Sequence, residues 1–393
     1  MGIIGVDRHS RSRPTLPFAE GDAAVRYPRH HLGVGPNNPY AWRMILLFIS
    51  MQTPYFKTLA TPPINETLRD AAARRGIFVG SAINYWDLQK DAAYARLAAA
   101  QYNLGTAENS CKFAATEGQP GSFNVSDCTS VLNFAHEHGM TFRAHNLIWG
   151  RSNPDWLVNG SYSPANLSTL EGTHIQHVVA DVGKRPYCWD VVNEAIADDS
   201  DNSSTLFKAA DPWYPAVEDY VYKAFAEAHA AAPSSIKLFY NDYGAEGTGA
   251  KASRVIQLVK NLQQKNIRID GIGLQMHVST GYYPSFDSVS ANIKALGDLG
   301  LEVHITEMDV KCPTCNTTQG LEQQAAIYGG MLKACLDNDN CRSFETWGFT
   351  DKYTWLDQDT YPLPFDKNLQ PKPAVAELLS ILQTYALPRT PAA

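Results

Sequence analysis

Cys188-Trp189-Asp190-Val191-Val192-Asn193-Glu194 is a short apolar run, rich in β-branched and aromatic residues, that stops at an amide and a carboxyl. Such a run reads as a buried strand whose C-terminal tip presents polar side chains. Val303-His304-Ile305-Thr306-Glu307 repeats the pattern and ends on a second carboxyl. Working outward from these two, the same kind of segment recurs at 77–82, 104–107, 141–144, 237–240, 271–274 and 343–346. Between them lie Ala-rich or amphipathic stretches with helical spacing, at 130–138, 216–232, 250–265, 288–299 and 321–336. A further helical stretch, 65–75, precedes the first strand and stops at Gly76.

Strand followed by helix, eight times over roughly 320 residues, is the rhythm of an α/β protein built as a single (β/α)8 TIM barrel. A doubly wound open sheet is the alternative, but its glycine-rich phosphate loop is missing after the first strand. A barrel places its chemistry at the C-terminal ends of its strands. The strands run into Glu108-Asn109, His145-Asn146, Asn193-Glu194, Asn241-Asp242, Gln275 with His277, Glu307, and Trp347. Strands four and seven face each other across an eight-stranded barrel, so Glu194 and Glu307 flank one cleft. Two such carboxyls, roughly 5 to 5.5 Å apart, are what a retaining glycosidase needs, one to protonate the leaving oxygen and one to attack the anomeric carbon. Glu194 reads as the acid/base and Glu307 as the nucleophile. Asn241 and Asp190 read as supports of loops or neighbours.

The segments Thr106-Ala107-Glu108-Asn109-Ser110-Cys111-Lys112, His145-Asn146-Leu147-Ile148-Trp149, Trp189 to Ala195, Tyr240-Asn241-Asp242-Tyr243, Gly273-Leu274-Gln275-Met276-His277, Ile305-Thr306-Glu307-Met308-Asp309 and Trp347-Gly348-Phe349-Thr350-Asp351 together resemble glycoside hydrolase family 10, the endo-β-1,4-xylanases. The resemblance covers about residues 66 to 385. It implies Glu194 as acid/base, Glu307 as nucleophile, and Asn193 as a ligand of the sugar 2-hydroxyl. It implies that His277 orients the nucleophile with Asp309 behind it. Glu108, Asn109 and Lys112 match the residues that grip sugars on the non-reducing side. His145 and Gln275 match those around the reacting sugar, and Trp149, Trp347 and Trp355 those that wall it in. The expected substrate is xylan or a xylo-oligosaccharide, cleaved without metal or cofactor by a monomer. A same-fold hydrolase acting on glucan or a plant glycoconjugate is the nearest alternative. A catalytically silent carbohydrate-binding protein is another, disfavoured by the intact carboxyl pair.

The chain departs from the family pattern at Gly150, where a histidine is common, and in the loop Arg151-Ser152-Asn153-Pro154. Cys111 and Phe113 stand where Met and Trp are usual. A lost imidazole beside the cleft is expected to widen it or change which glycoside fits.

The 393 residues, 44% hydrophobic, are enough for one large domain with an ample core. A formal charge of -7 provides no basic field for nucleic acid. The 8 Trp and 19 Tyr suit a stacking surface for flat sugars. No apolar run approaches the roughly 18 residues that span a bilayer, so no membrane partner is expected. Residues 1–65 lack sustained periodicity and read as an extension that is disordered or removed, with a signal segment at 44–60. Residues 66–387 form the catalytic domain and 388–393 a short tail. Secretion accords with Asn-x-Ser/Thr sites at Asn65, Asn124, Asn159, Asn166, Asn202 and Asn316. It also accords with 7 Cys read as Cys335–Cys341, Cys312–Cys315 and Cys111–Cys128 bridges plus a buried Cys188 thiol.

Overall fold

The computed structural model describes residues 66–198 and 205–385. The expected signal segment, the remainder of the N-terminal extension and the C-terminal tail lie outside the described residues. Nine strands are found among the described residues: β1 (Phe78–Ile83), β2 (Leu104–Ala107), β3 (Thr141–Trp149), β4 (Cys188–Asn193), β5 (Lys237–Asp242), β6 (Gly271–Leu274), β7 (His277–Ser279), β8 (Glu302–Lys311) and β9 (Cys341–Thr346). All neighbours are parallel. β1 to β6 pair in sequence order, β6 pairs with β8, β8 with β9, and β9 with β1, which closes the ring. β7 pairs with β8 alone, in register after β6 has ended, and so prolongs the sixth position of the barrel. The fold is therefore a single (β/α)8 barrel.

Continuous burial explains why these segments are strands: all six residues of β4 and all four of β2 and β6 are buried. Two strands far outrun their expected ends. β3 continues from Ala144 to Trp149 and β8 from Thr306 to Lys311, each through a slip in register, between His145 and Ile148 and between Ile305 and Met308. His145 and Glu307 thus sit at bulges inside strands rather than at their ends. A bulge re-aims a side chain without ending the pairing, a geometry that apolar patterning does not reveal.

Helices pack around the barrel. Leu68–Arg75 starts at Thr67, whose hydroxyl accepts from the Asp70 amide at 3.2 Å, and ends at Gly76 with φ 64°. Such a hydroxyl cap stabilises a helix by about 1 kcal/mol. The two longest helices, Pro164–Val182 and Thr318–Leu336, bury one apolar flank each against the strands and neighbouring helices. No helix among the described residues is long and apolar enough to cross a membrane.

Three disulfides close at Cys111–Cys128, Cys312–Cys315 and Cys335–Cys341, and Cys188 is a buried free thiol. Asn124, Asn159, Asn166 and Asn316 are exposed.

Candidate active site

The C-terminal rim is assembled from short tips that brace one another. Glu194 follows β4 with φ 57°, a left-handed conformation uncommon for a residue with a Cβ. Three contacts hold it there: its amide donates to Asn241 O at 2.9 Å, and the next two amides, of Ala195 and Ile196, both donate to the Tyr240 hydroxyl at 2.9 Å. Tyr240 in turn donates to Asp242. Met276, φ 68°, turns the chain between β6 and β7 so that Gln275 occupies the break and His277 opens β7. The Glu307 amide donates to Gln275 O at 3.0 Å, tying β8 to that break.

A continuous run of hydrogen bonds joins the two carboxylates. Glu194 Oε1 accepts from Gln275 Nε2 at 3.1 Å and Asn193 Nδ2 at 3.3 Å. Gln275 Nε2 also approaches Asn193 Oδ1, 3.2 Å, which accepts from Asn241 Nδ2 at 2.8 Å. The same Asn241 nitrogen donates to Glu307 Oε1 at 2.7 Å, while Thr306 donates to Asn241 Oδ1 at 2.7 Å and fixes the amide's orientation. Gly273 makes room for it, since a Cβ there would overlap Asn241 Oδ1.

Beyond Glu307 lies a second line. Its Oε2 is 3.2 Å from His277 Nε2, and His277 Nδ1 is 2.8 Å from Asp309 Oδ2. The Trp355 indole donates to the same Asp309 oxygen at 2.9 Å. Glu108, Asn109 and Lys112 form a third: Lys112 Nζ donates to Asn109 Oδ1 at 2.8 Å and Asn109 Nδ2 to Glu108 Oε1 at 3.0 Å. The Lys112 ammonium lies 5.1 Å from the Trp149 ring centre and 5.6 Å from that of Trp347. Trp347 meets His145 edge-on at 5.0 Å. His145 Nδ1 faces Asp190 Oδ2 at 2.8 Å, and Asn146 Nδ2 lies 3.1 Å from its Nε2. All the expected site residues thus meet on one rim.

The environments of the two carboxyls differ. Burial raises the Glu194 pKa, Asp242 raises it further, and Lys208 and Gln275 offset this only in part. Burial alone would raise Glu307 too, but the His277 hydrogen bond, with His145 nearby and the Asn241 donor, outweighs it and holds the carboxyl below the ordinary range. Burial would depress His277; the Asp309 and Glu307 carboxylates reverse that and keep the imidazole well above its usual pKa. Desolvation lowers Lys112 and raises Glu108.

The family model for glycosyl hydrolase family 10 matches residues 67–381. The chain belongs to glycosyl hydrolase family 10. It is 40% identical over 297 residues to endo-1,4-beta-xylanase B of Neocallimastix patriciarum, an alignment covering 74% of this chain and 33% of that protein. The chain thus spans about a third of that relative's length. It is 36% identical over 279 residues to the endo-1,4-beta-xylanase of Agaricus bisporus, covering 70% and 81%. The barrel superposes with TM-score 0.76 on xylanase 10B from Thermotoga petrophila in complex with xylobiose, at 33% identity, over 81% of this chain and 98% of that one.

Within this family 10 rim, several residues fall outside what the linear pattern conveys. Asn241, read from sequence as a support of its neighbours, donates directly to Glu307; its sequence signals are its place at a strand tip and in the Tyr240-Asn241-Asp242-Tyr243 segment, and neither specifies that contact. Arg143, buried inside the barrel, holds Asp190 through two nitrogens, reaches His304 Nδ1 at 2.8 Å, and stacks its guanidinium 4.8 Å from the Phe239 ring. Burial would raise Asp190, yet Arg143 outweighs it and keeps the carboxylate ionised beneath His145. Lys208, on the segment after β4, donates to the Tyr243 hydroxyl at 2.9 Å, and Tyr243 donates to Asp198 at 2.7 Å.

The departures from the family pattern acquire physical reasons. Cys111 is locked to Cys128, and Phe113 stacks on His174 with ring centres 3.5 Å apart. At Gly150 the turn 210–214 packs against the backbone. A Cβ there would come 3.0 Å from Ala210 Cβ and 3.1 Å from its Cα, so the turn 210–214 fills the space. Asn153 Nδ2 ties this turn down by donating to both Trp149 O and Asp211 O, at 2.9 and 3.0 Å, and Trp213 Nε1 also donates to Trp149 O at 3.0 Å.

Proposed function

We propose that this family 10 hydrolase is an endo-1,4-β-xylanase that cuts internal β-1,4-xylosidic bonds of xylan by double displacement with retention. The observation that carries this reading is the opposite setting of the two carboxyls on one hydrogen-bonded rim. Glu307, held ionised, attacks the anomeric carbon and forms a glycosyl-enzyme. Glu194, its pKa raised by burial and by Asp242, delivers its proton to the departing oxygen. It then takes a proton from the water that releases the sugar.

The remaining roles follow from what each side chain touches. Asn193, with Oδ1 accepting from Asn241 and Gln275 and one amide hydrogen directed at Glu194, has its second amide hydrogen to offer a sugar 2-hydroxyl. His277, backed by Asp309, keeps Glu307 oriented and charged. Glu108, Asn109 and Lys112 offer an acceptor, an amide and a cation to xylose hydroxyls, while Trp149, Trp347 and Trp355 supply flat apolar walls. His145 and Gln275 border the reacting ring. The protein acts as a secreted monomer whose residues 1–65 precede the catalytic domain; three disulfides and four exposed glycosylation sequons support export.

The test is product analysis. Proton NMR of the first product from xylan should show the β-anomer, and plain xylan should be turned over in preference to β-glucan. An α-anomer first product refutes the mechanism, and preference for glucan refutes the substrate.

A further inference from the structure

The bonds on the Glu108 side of the rim lead away from the catalytic pair and end at an aromatic ring that the proposed reaction does not use. Lys112 donates to Asn109 and Asn109 to Glu108. The Glu108 carboxylate is hydrogen-bonded in turn by the Asn84 side chain, which follows the last residue of β1. The backbone makes the same junction, with the Glu108 amide donating to Ile83 O at 3.2 Å. Asn84 Oδ1 then accepts from the amides of Trp86 and Asp87, at 3.0 and 3.2 Å, and caps the short helix Tyr85–Lys90. One side chain therefore couples the sugar-gripping Glu108 to the backbone that carries Trp86.

The Trp86 side chain is 66% exposed. Its ring meets Tyr85 edge-on, centroids 4.9 Å apart. Tyr85 is partly buried against the core and hydrogen-bonds Asp127 at the start of the helix Ser126–Glu137. Asp87 is buried and pairs with Lys90 at 2.8 Å. The base of the indole is thus braced by its neighbours while most of its surface remains in water. An indole this exposed on a braced turn has no packing function to explain it. The backbone that carries it is joined to Glu108 through Asn84, on the side of the rim away from the catalytic pair.

We propose that Trp86 is a stacking platform for the xylopyranose three places from the cleaved bond on the non-reducing side, extending the grip of Glu108, Asn109 and Lys112 by one sugar. This rests on the xylanase reading above. A xylopyranose ring carries no hydroxymethyl group and offers a flat C–H face, which suits an exposed indole.

Xylotetraose hydrolysed in 18O-labelled water tests it. Mass spectrometry separates cleavage to xylotriose plus xylose, which places three sugars on the non-reducing side, from symmetric cleavage to two xylobioses. Trp86→Ala should lower the ratio of the first mode to the second about tenfold, the equivalent of one lost ring stack, and Trp86→Tyr should keep most of it. A merely structural Trp86 would slow both modes together. An unchanged ratio in Trp86→Ala overturns the platform. Failure of the unaltered enzyme to cut xylotetraose at all overturns the xylanase reading and the platform with it.

Discussion

Glu307 receives donors on both oxygens, from Asn241 and from His277, whereas the amides that reach Glu194, those of Asn193 and Gln275, converge on Oε1 alone. Both side chains are glutamates on one rim and both are desolvated, yet their acidities move in opposite directions. Burial is common to the two and cannot separate them. What separates them is the partner: an imidazole braced by Asp309 on one side, and the Asp242 carboxylate on the other. The nucleophile is the stronger acid because an amide and an imidazole reach its two oxygens and offset its burial; Glu194 is the weaker acid because burial, with the Asp242 carboxylate adding to it, outweighs the donors it has.

Removing either carboxyl tests the comparison most severely. Glu307→Gln should cut turnover of both xylan and aryl xylosides by at least about a hundredfold; initial rates that stay above about 1% would break the nucleophile's half of the contrast. Glu194→Ala should divide substrates by leaving group. Xylan should lose about tenfold or more beyond the loss seen with a dinitrophenyl xyloside, because the latter departs without a proton. Equal losses on the two would mean that Glu194 is not the donor.

The supports of Glu307 sharpen the comparison further. Asn241→Ala removes one donor to the ionised form, and Gly273→Ala should push the same amide aside by overlap. Each should raise the Glu307 pKa, so the acidic limb of the kcat/KM profile moves to higher pH and kcat drops about tenfold. An acidic limb that stays in place would show that His277 alone sets the ionisation. The smallest effect is expected at Lys208. Losing its positive charge in Lys208→Met makes ionisation of Glu194 harder, so the acid remains protonated to higher pH and the alkaline limb moves up by less than about one unit. A downward shift would reverse the sign of the proposed electrostatics.

Much of this was legible before any coordinates. The eight barrel strands stand out because a strand buried on both faces is an unbroken apolar run, and the tips stand out because polarity returns abruptly after it. Glu194 is visible in that way. Glu307 and His145 are visible as residues but not as bulge positions, because a register slip between two strands leaves no mark on either one's hydrophobicity. Asn241 illustrates the other limit. Nothing along the chain distinguishes an amide that supports a loop from one that crosses the barrel to a carboxylate 66 positions away. Arg143 is similar: a lone arginine inside an apolar strand is intelligible only beside Asp190, His304 and Phe239.

The packing of Ala210 on Gly150 carries a consequence for how such a chain can change. Residue 150 and the turn 210–214 draw on a single volume, so a bulky side chain at one requires the other to withdraw. Among related barrels these two positions should therefore vary as a couple, a large residue after the strand-three tryptophan accompanying a shorter or displaced turn. A lineage passing from one arrangement to the other would have to cross through a state small at both, with an open notch beside the acid. The shape of the cleft at this point is in that sense an inherited choice between two occupants rather than a residue preference at either position alone.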